Sequence, residues 1–411
     1  KDGHLWFHMH FTAPQAQEGK TPYFRLMTGK LGNWDACNPQ ALLYVNGRTV
    51  QGMDINHNMM QLTPGEDVDL YLYFYIGMID IAIEFTPSLV YLDDRIEKAY
   101  YDLSVPLQGT RLLQKNSREY VETMKCLEQA ANRLVMWPEY SEAFYQGLKD
   151  ACDYLQKEFY EKLCGKSDVT VRCIGHTHID VAWRWTLAQT VEKSQRSFAT
   201  VIELMRRYPE YIFMSSQPQL YQYVKEEDPA LYEEIKEMIK AGRWEAEGAM
   251  WLEADCNLTS GESLVRQIVH GKKFMKDEFD VDSKTLWLPD VFGYSAAMPQ
   301  ILKKSGVDNF VTSKISWNEA NTLPYDTFMW QGIDGTEVFT NFITAQDAKP
   351  NGEITNFTTY NGDLTPDMVL GTWNRYQQKE YNDEAVITFG YGDGGGGPTR
   401  EMLERFRRLQ Y

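Results

Sequence analysis

The sequence has no uninterrupted apolar run of the ~18 residues that a bilayer-spanning helix needs, which excludes a transmembrane segment, and no signal-peptide pattern is visible. Positive charge is scarce: 41 Lys and Arg stand against 58 Asp and Glu, a net charge of −17 over 411 residues. That balance argues against nucleic-acid backbones and anionic membranes as partners and favours a neutral or cationic ligand. Cysteine is sparse too. Cys37, Cys126, Cys152, Cys164, Cys173 and Cys256 lie far apart without a C-x-x-C pair, which reads as reduced, mostly buried thiols rather than a disulfide framework. A soluble cytoplasmic protein is expected, and the N-x-T sequons at Asn257 and Asn356 would matter only in a secreted one. The chain starts at Lys1 and stops at Tyr411 inside a helical pattern, so it reads as a fragment of a longer polypeptide.

Apolar and aromatic residues are plentiful. At 43% hydrophobic, the chain can bury two or three domain cores. Eleven Trp and 25 Tyr supply flat faces of the kind that pack on sugar rings, although many belong in cores. Residues 1 to about 105 read as a β-sandwich, with alternation over His4–Phe11 and Asp69–Phe74, and further strands at Ile79–Phe85 and Leu89–Leu92. Ala41–Val45 runs into Asn46-Gly47, a strong hairpin signal. The cluster His4, His8 and His10 raises a metal site but is more simply read as surface or interface histidines. Residues 106–167 read as a helical connector, with helices over 112–136 and 139–164 divided by Trp137-Pro138.

From residue 168 strands and helices alternate, the signature of a parallel sheet or barrel. Strands are expected at 169–175, 211–215, 243–247, 285–289, 309–313 and 385–390. Helices are expected at 186–207, 229–241, 260–277, 296–305, 366–379 and 399–409. The stretch 314–365 reads as irregular, with a β-pair near 327–330 and 336–342.

The chemistry concentrates in four segments. After the β-branched run Val169-Thr170-Val171-Arg172-Cys173 comes His176-Thr177-His178-Ile179-Asp180. In an extended chain these three polar side chains share a face, and two imidazoles with a carboxylate suit a borderline ion such as Zn²⁺. The second segment, Leu288-Pro289-Asp290-Val291-Phe292-Gly293-Tyr294-Ser295, ends another strand. The third, Trp251-Leu252-Glu253-Ala254-Asp255-Cys256-Asn257, has the make-up of a sugar-binding loop and equally that of a helix-entry loop with local Asx turns. The fourth, Gly390-Tyr391-Gly392-Asp393-Gly394-Gly395, satisfies G-x-G-x-x-G, but Asp393 would set a negative charge beside a pyrophosphate. The glycines fit better as a place where backbone closely approaches a sugar.

The H-x-D pair at 178 and 180, together with the L-P-D-x-F-G-Y-S segment, resembles glycoside hydrolase family 38, the retaining α-mannosidases, over roughly residues 168–400. The resemblance implies an α/β catalytic domain over 168–411, a seven-stranded (β/α) barrel, with C-terminal β domains absent from this chain. It implies Asp290 as nucleophile and metal ligand, Asp393 as general acid/base, and His178 and Asp180 as zinc ligands. It places Trp183 under the sugar and Lys314 beside the nucleophile, while Trp251, Glu253 and Asp255 are further substrate-binding candidates. His176 is placed behind the ligands, and the family's remaining histidine ligand is expected beyond Tyr411. The implied substrate is an oligosaccharide or mannoside carrying terminal α-linked mannose; the sequence leaves a homo-oligomer open. Two rivals stand beside this reading: a metal-dependent carbohydrate deacetylase and a non-catalytic carbohydrate-binding protein.

Overall fold

A computed structural model describes residues 3–28, 39–77, 84–165, 167–346 and 357–411. Among the described residues seven strands come first: β1 (His4–Thr12), β2 (Lys20–Met27), β3 (Gln40–Val45), β4 (Arg48–Met53), β5 (Met59–Gln61), β6 (Asp67–Tyr75) and β7 (Thr86–Asp93). They form two antiparallel sheets, ordered β1-β6-β3-β4 and β5-β2-β7. Alternation drives the packing. Val68, Leu70, Leu72 and Phe74 of β6 are buried, and they meet Phe24 and Leu26 of β2 and Met60 of β5 in one core. Each such side chain contributes roughly 1.5–3 kcal/mol on burial. The Asn46-Gly47 turn joins β3 to β4, with both residues at positive φ (51° and 80°), as a two-residue hairpin requires. Strand β2 was not expected, because Pro22 interrupts its pattern. Most of the stretch 79–85 read as a strand lies outside the described residues.

The β reading to residue 105 is corrected by helix α1 (Asp94–Thr110), which starts directly after β7. Asp93 caps it, accepting from the amides of Arg95 and Ile96. Pro106 sits inside α1 and disguised it, since an interior proline reads as a breaker. The single helix expected over 112–136 is the shorter α2 (Arg118–Ala131), and α3 (Glu142–Leu155) continues into a π-helical turn at Gln156–Tyr160. Ser117 and Ser141 cap α2 and α3.

The remaining elements are β8 (Thr170–His176), α4 (Leu187–Arg207), β9 (Phe213–Ser215), α5 (Pro218–Glu227), α6 (Pro229–Lys240), β10 (Trp244–Ala246), α7 (Gly261–Phe279) and β11 (Thr285–Trp287). They continue through α8 (Met298–Lys304), β12 (Asn309–Thr312), β13 (Thr327–Gln331), β14 (Glu337–Phe342), α9 (Pro366–Arg375), β15 (Glu384–Phe389) and α10 (Arg400–Leu409). Two groups of parallel strands, β10-β9-β8-β15 and β11-β12-β14, are joined by a parallel bridge from Gly248 to Leu286. β13 adds antiparallel to β14. The expected β-pair is therefore present, and β14 is also a parallel strand that the reading of 314–365 as irregular overlooked. Helix α5 was likewise unexpected. Among the described residues no ladder joins β14 to β15. A cleft of about 800 Å³ lined by Phe339, Asn341, Ala385 and Val386 lies there, so the circuit of parallel strands is open.

Helix α4 lies across β3 and β4, where the amide of Gly52 donates to Thr200 Oγ1 at 3.0 Å. The N-terminal sheets are thereby seated on the α/β part. No helix among the described residues is long and apolar enough to cross a membrane, and Cys126, Cys152, Cys173 and Cys256 are free thiols.

Candidate active site

The carboxyl ends of β8, β11 and β15 bring three chemical segments together. β8 stops at His176, and from there the chain leaves strand geometry, so the three polar side chains do not share one face. His176 turns into the core. Its Nδ1 lies 3.0 Å from the carbonyl of Met214, and its Nε2 accepts from the Trp287 indole N–H at 3.4 Å. These partners fix a neutral imidazole, and burial pushes its pKa down to about 3.

His178 faces the site. Its Nε2 lies 3.3 Å from Asp180 Oδ1 and 3.6 Å from Asp290 Oδ2, and its Nδ1 lies 2.8 Å from Glu253 Oε2. The Glu253 contact is angled away from a linear hydrogen bond, so it is an ion pair. Burial alone would lower the pKa of His178, but Glu253 and then Asp180 overcome it and hold the group well above the ordinary imidazole value. The edge of the ring meets Tyr360, with centroids 5.1 Å apart.

Asp290 follows β11 on a turn pinned from two sides. Ser313 Oγ donates to the carbonyl of Pro289 at 2.7 Å, and the Tyr294 hydroxyl lies 2.6 Å from both the Val291 carbonyl and Thr312 Oγ1. Lys314 Nζ lies 2.9 Å from Asp290 Oδ1 and 3.6 Å from the centroid of the Trp317 ring. Lys314 therefore stands beside Asp290.

Asp393 lies in the loop after β15 at positive φ (54°), and burial raises its carboxyl pKa. One phenol joins the two aspartates: Tyr360 Oη is 2.8 Å from Asp290 Oδ1 and 2.7 Å from Asp393 Oδ1. Two hydrogen bonds through one atom put those carboxyl oxygens no more than about 5.5 Å apart. Burial, then the two carboxylates, raise the phenol's pKa, so it stays protonated. A phenol has one proton to give. It can donate to only one of the two aspartates at a time, and the burial that raises Asp393 favours one carboxylate and one carboxylic acid. Partly buried Asp393 suits the acid, and Asp290 beside Lys314 suits the carboxylate.

Ligand atoms of His178, Asp180 and Asp393 lie within 4.8 Å of one another, a set able to hold a metal ion. The sequence reading had Asp290 in that place. Here Asp290 turns one oxygen to Lys314 and Tyr360 and the other to His178. Asp180, Asp290 and Asp393 all lie close to the His178 ring, whose Nδ1 faces a fourth carboxyl, and a bound cation would offset the negative charge gathered there. The mixed N and O donors suit zinc.

The other candidates divide. Glu253, expected to meet sugar, is turned inward, with its side chain 6% exposed between His178 and Ser216 Oγ. Asp255 is exposed and accepts from the amides of Asn257 and Leu258, which is the local Asx turn. Trp251 donates its indole N–H to Gln219 and packs edge-on against Phe274, a contact between α5 and α7. Among the described residues, neither Asp255 nor Trp251 is hydrogen-bonded or ion-paired to His178, Asp290 or Asp393. Trp183 is 51% exposed, three residues beyond Asp180, edge-on to Trp185. The glycines near Asp393 are also reassigned, because they make room for protein atoms. A Cβ on Gly394 would come 2.7 Å from Lys193 Cδ. His4, His8 and His10 form separate pairs with Glu192, Asp69 and Asp67. Tyr360 had no sequence signal, lying in a stretch read as irregular.

Residues 168–411 match the model of the glycosyl hydrolases family 38 N-terminal domain. Alpha-mannosidase G of Dictyostelium discoideum is 40% identical over 255 residues, covering 62% of this chain and 22% of that protein. Alpha-mannosidase 2C1 of Homo sapiens is 32% identical over 427 residues, covering 98% of this chain and 38% of that protein. The chain thus spans well under half the length of the curated relatives it matches. An alpha-mannosidase crystal structure from Enterococcus faecalis superposes with a TM-score of 0.47 at 17% identity, over 59% of this chain and 27% of that one.

Proposed function

Because the chain belongs to glycosyl hydrolase family 38, we propose that it carries the catalytic centre of a retaining α-mannosidase that removes terminal α-linked mannose from oligosaccharides. The single observation that carries the mechanism is the Tyr360 hydroxyl held by both Asp290 and Asp393. The separation it allows agrees with the ~5–5.5 Å of retaining glycosidases rather than the wider ~6.5–9.5 Å gap of inverting ones.

Asp290, kept in register by Lys314, attacks the anomeric carbon and forms a glycosyl ester as the leaving oxygen takes the Asp393 proton. Asp393, now ionised, then removes a proton from the water that hydrolyses the ester, and both carboxyls return to their starting states. His178 and Asp180, with Asp393 or Asp290 beside them, would hold zinc. When bound, it would supply positive charge that orients sugar hydroxyls and keeps neighbouring carboxylates ionised. Trp183 offers an aromatic face to the ring. In this reading the N-terminal sheets are a β-sandwich, the helices that follow are a connector, the parallel strands are a (β/α) barrel over 168–411, and the protein works in the cytoplasm.

The test is release of nitrophenol from its α-mannoside by the full-length protein, before and after chelation with zinc add-back, with Asp290→Asn alongside. Metal-dependent turnover lost in Asp290→Asn is expected, together with a glycosyl-enzyme trapped on Asp290 by a slow fluorinated mannoside. Turnover indifferent to chelation overturns the metal assignment, and an active Asp290→Asn overturns the nucleophile.

A further inference from the structure

We propose that the N-terminal sheets position the loop carrying Asp393, through an Asp54–His57 pair that clamps the end of the loop and a Gln40–Lys193 bridge beneath its tip. The inference rests on the reading of Asp393 as acid/base and assigns to residues far from it in sequence the task of holding it in place.

The loop from Tyr391 to Pro398 is closed at its base by reciprocal hydrogen bonds between Tyr391 and Gly397, both 2.9 Å. Asp393 projects from it at positive φ, a conformation that a non-glycine residue keeps only where the surroundings impose it. One tie comes from the α/β part, where the amide of Gly394 donates to the carbonyl of His178 at 3.1 Å. Thr177 Oγ1, also in the α/β part, donates to the carbonyl of Tyr391 at 3.2 Å, and further ties lead to the N-terminal sheets. His57, in the segment after β4, donates from Nε2 to the carbonyl of Pro398 at 2.9 Å, across 341 positions of sequence. Its Nδ1 lies 3.1 Å from each Asp54 carboxylate oxygen, and the two side chains are 4% and 5% exposed. Both ring nitrogens therefore face atoms that only accept, which fits a buried imidazolium paired with a carboxylate. Asp54 is further fixed by the amides of Asn56 and His57, at 2.7 and 2.8 Å. Burial would raise its pKa, but His57 and these amides outweigh that and lower it.

Beneath the tip, Lys193 Nζ donates to Gln40 Oε1 at 2.8 Å and to the carbonyl of Gly394 at 3.4 Å, while Arg196 reaches the same Gln40 oxygen. The loop is shaped for these partners. A Cβ on Gly396, at φ +91°, would lie 2.8 Å from His57 Cε1 and 3.1 Å from Asp54 Oδ2. A buried ion pair is a poor source of net stability, because desolvation offsets its attraction. Its value here is a fixed geometry for the backbone that follows Asp393.

The test compares two substrates in the full-length enzyme. Mannobiose needs its leaving oxygen protonated, whereas a dinitrophenyl mannoside releases a phenolate without help. Asp54→Asn and, from the loop side, Gly396→Ala are each expected to lower kcat/KM on mannobiose by roughly 10- to 100-fold. On the dinitrophenyl substrate the loss should stay below about threefold, a split that a purely structural role does not produce. Asp393→Asn, run in parallel, should show the same split in larger measure. Equal losses on both substrates in the two clamp variants overturn the proposal while leaving Asp393 in its role. No split in Asp393→Asn overturns the acid/base reading, and the clamp falls with it. If Asp54→Asn does not fold, Gly396→Ala with Gln40→Ala decides on the same criterion.

Discussion

Glu253 Oε2 lies 2.8 Å from Nδ1 of His178, on the opposite side of the ring from Asp180 and Asp290. Its other oxygen accepts from Ser216 Oγ at 2.9 Å, so the carboxylate is anchored before it meets the imidazole. A carboxylate behind a ligating histidine fixes which nitrogen keeps its proton and makes the free nitrogen a stronger donor. Glu253→Gln keeps the shape and removes the charge. Metal affinity, measured by competition with a chelator of known strength, is expected to fall roughly 10- to 100-fold. Unchanged affinity in a folded variant would make Glu253 a packing residue only.

His176 sets an acid limit on stability. Its folded pKa of about 3 lies below the ~6.5 of an unfolded histidine. A depressed value means that its contribution is complete above the unfolded pKa and is lost as pH falls from there toward the folded one. A proton on Nε2 would confront the Trp287 N–H, where an acceptor is required. Between pH 6.5 and 5, wild-type stability should fall by up to about 1.4 kcal/mol per unit from this group. In His176→Asn, whose amide can still donate to Met214, that part of the slope should disappear. Parallel pH profiles for the two proteins would contradict the assignment.

The legible parts of this chain are those with local causes. The six strands expected between residues 169 and 390 all formed, because short apolar or alternating runs bounded by turn residues need no distant partner to be recognised. The His178-x-Asp180 spacing and Asp290 after Pro289 were readable for the same reason, as end-of-strand chemistry. What was hidden depends on tertiary contact. Tyr360 belongs to the site only because its hydroxyl reaches two aspartates far along the chain, 70 and 33 positions away. Glu253 looked like a sugar ligand because its neighbours are Trp251 and Asp255, and nothing local says that its side chain turns inward. Helix α1 was masked by Pro106, whose cost is outweighed by packing against α3 and α10. The glycines around Asp393 announced a close approach without identifying what approaches.

Trp183 gives a test of binding separated from chemistry. Its indole is 51% exposed and rests edge-on against Trp185 at 5.9 Å, with the Arg184 guanidinium 4.8 Å from its centroid. Removing an exposed ring should leave the melting temperature nearly unchanged. On the scale of a pair of aromatic rings, loss of such a contact is worth about 0.5–1.5 kcal/mol. Trp183→Ala is therefore expected to raise KM by roughly 2- to 12-fold with kcat little altered. A fall in kcat at constant KM would mean that the ring acts on the reacting bond instead of holding the sugar.

Tyr360→Phe separates the two aspartates' roles most sharply. The substitution keeps the ring against His178 and deletes only the oxygen shared by Asp290 and Asp393. Burial raises Asp393, while the hydrogen bond from Tyr360 partly lowers it. Deleting that bond should therefore raise the Asp393 pKa further. A general acid works while protonated, so the alkaline limb of kcat/KM should move to higher pH in the variant. The maximal rate should drop about 10- to 100-fold, because the two carboxyls lose the atom that sets their spacing. If Asp393 instead acts only as an anionic metal ligand, the same substitution makes it harder to ionise. Activity should then fall at the acid side and the acid limb should move up, while the alkaline limb stays in place. A pH–rate profile on one substrate distinguishes the two outcomes by which limb moves.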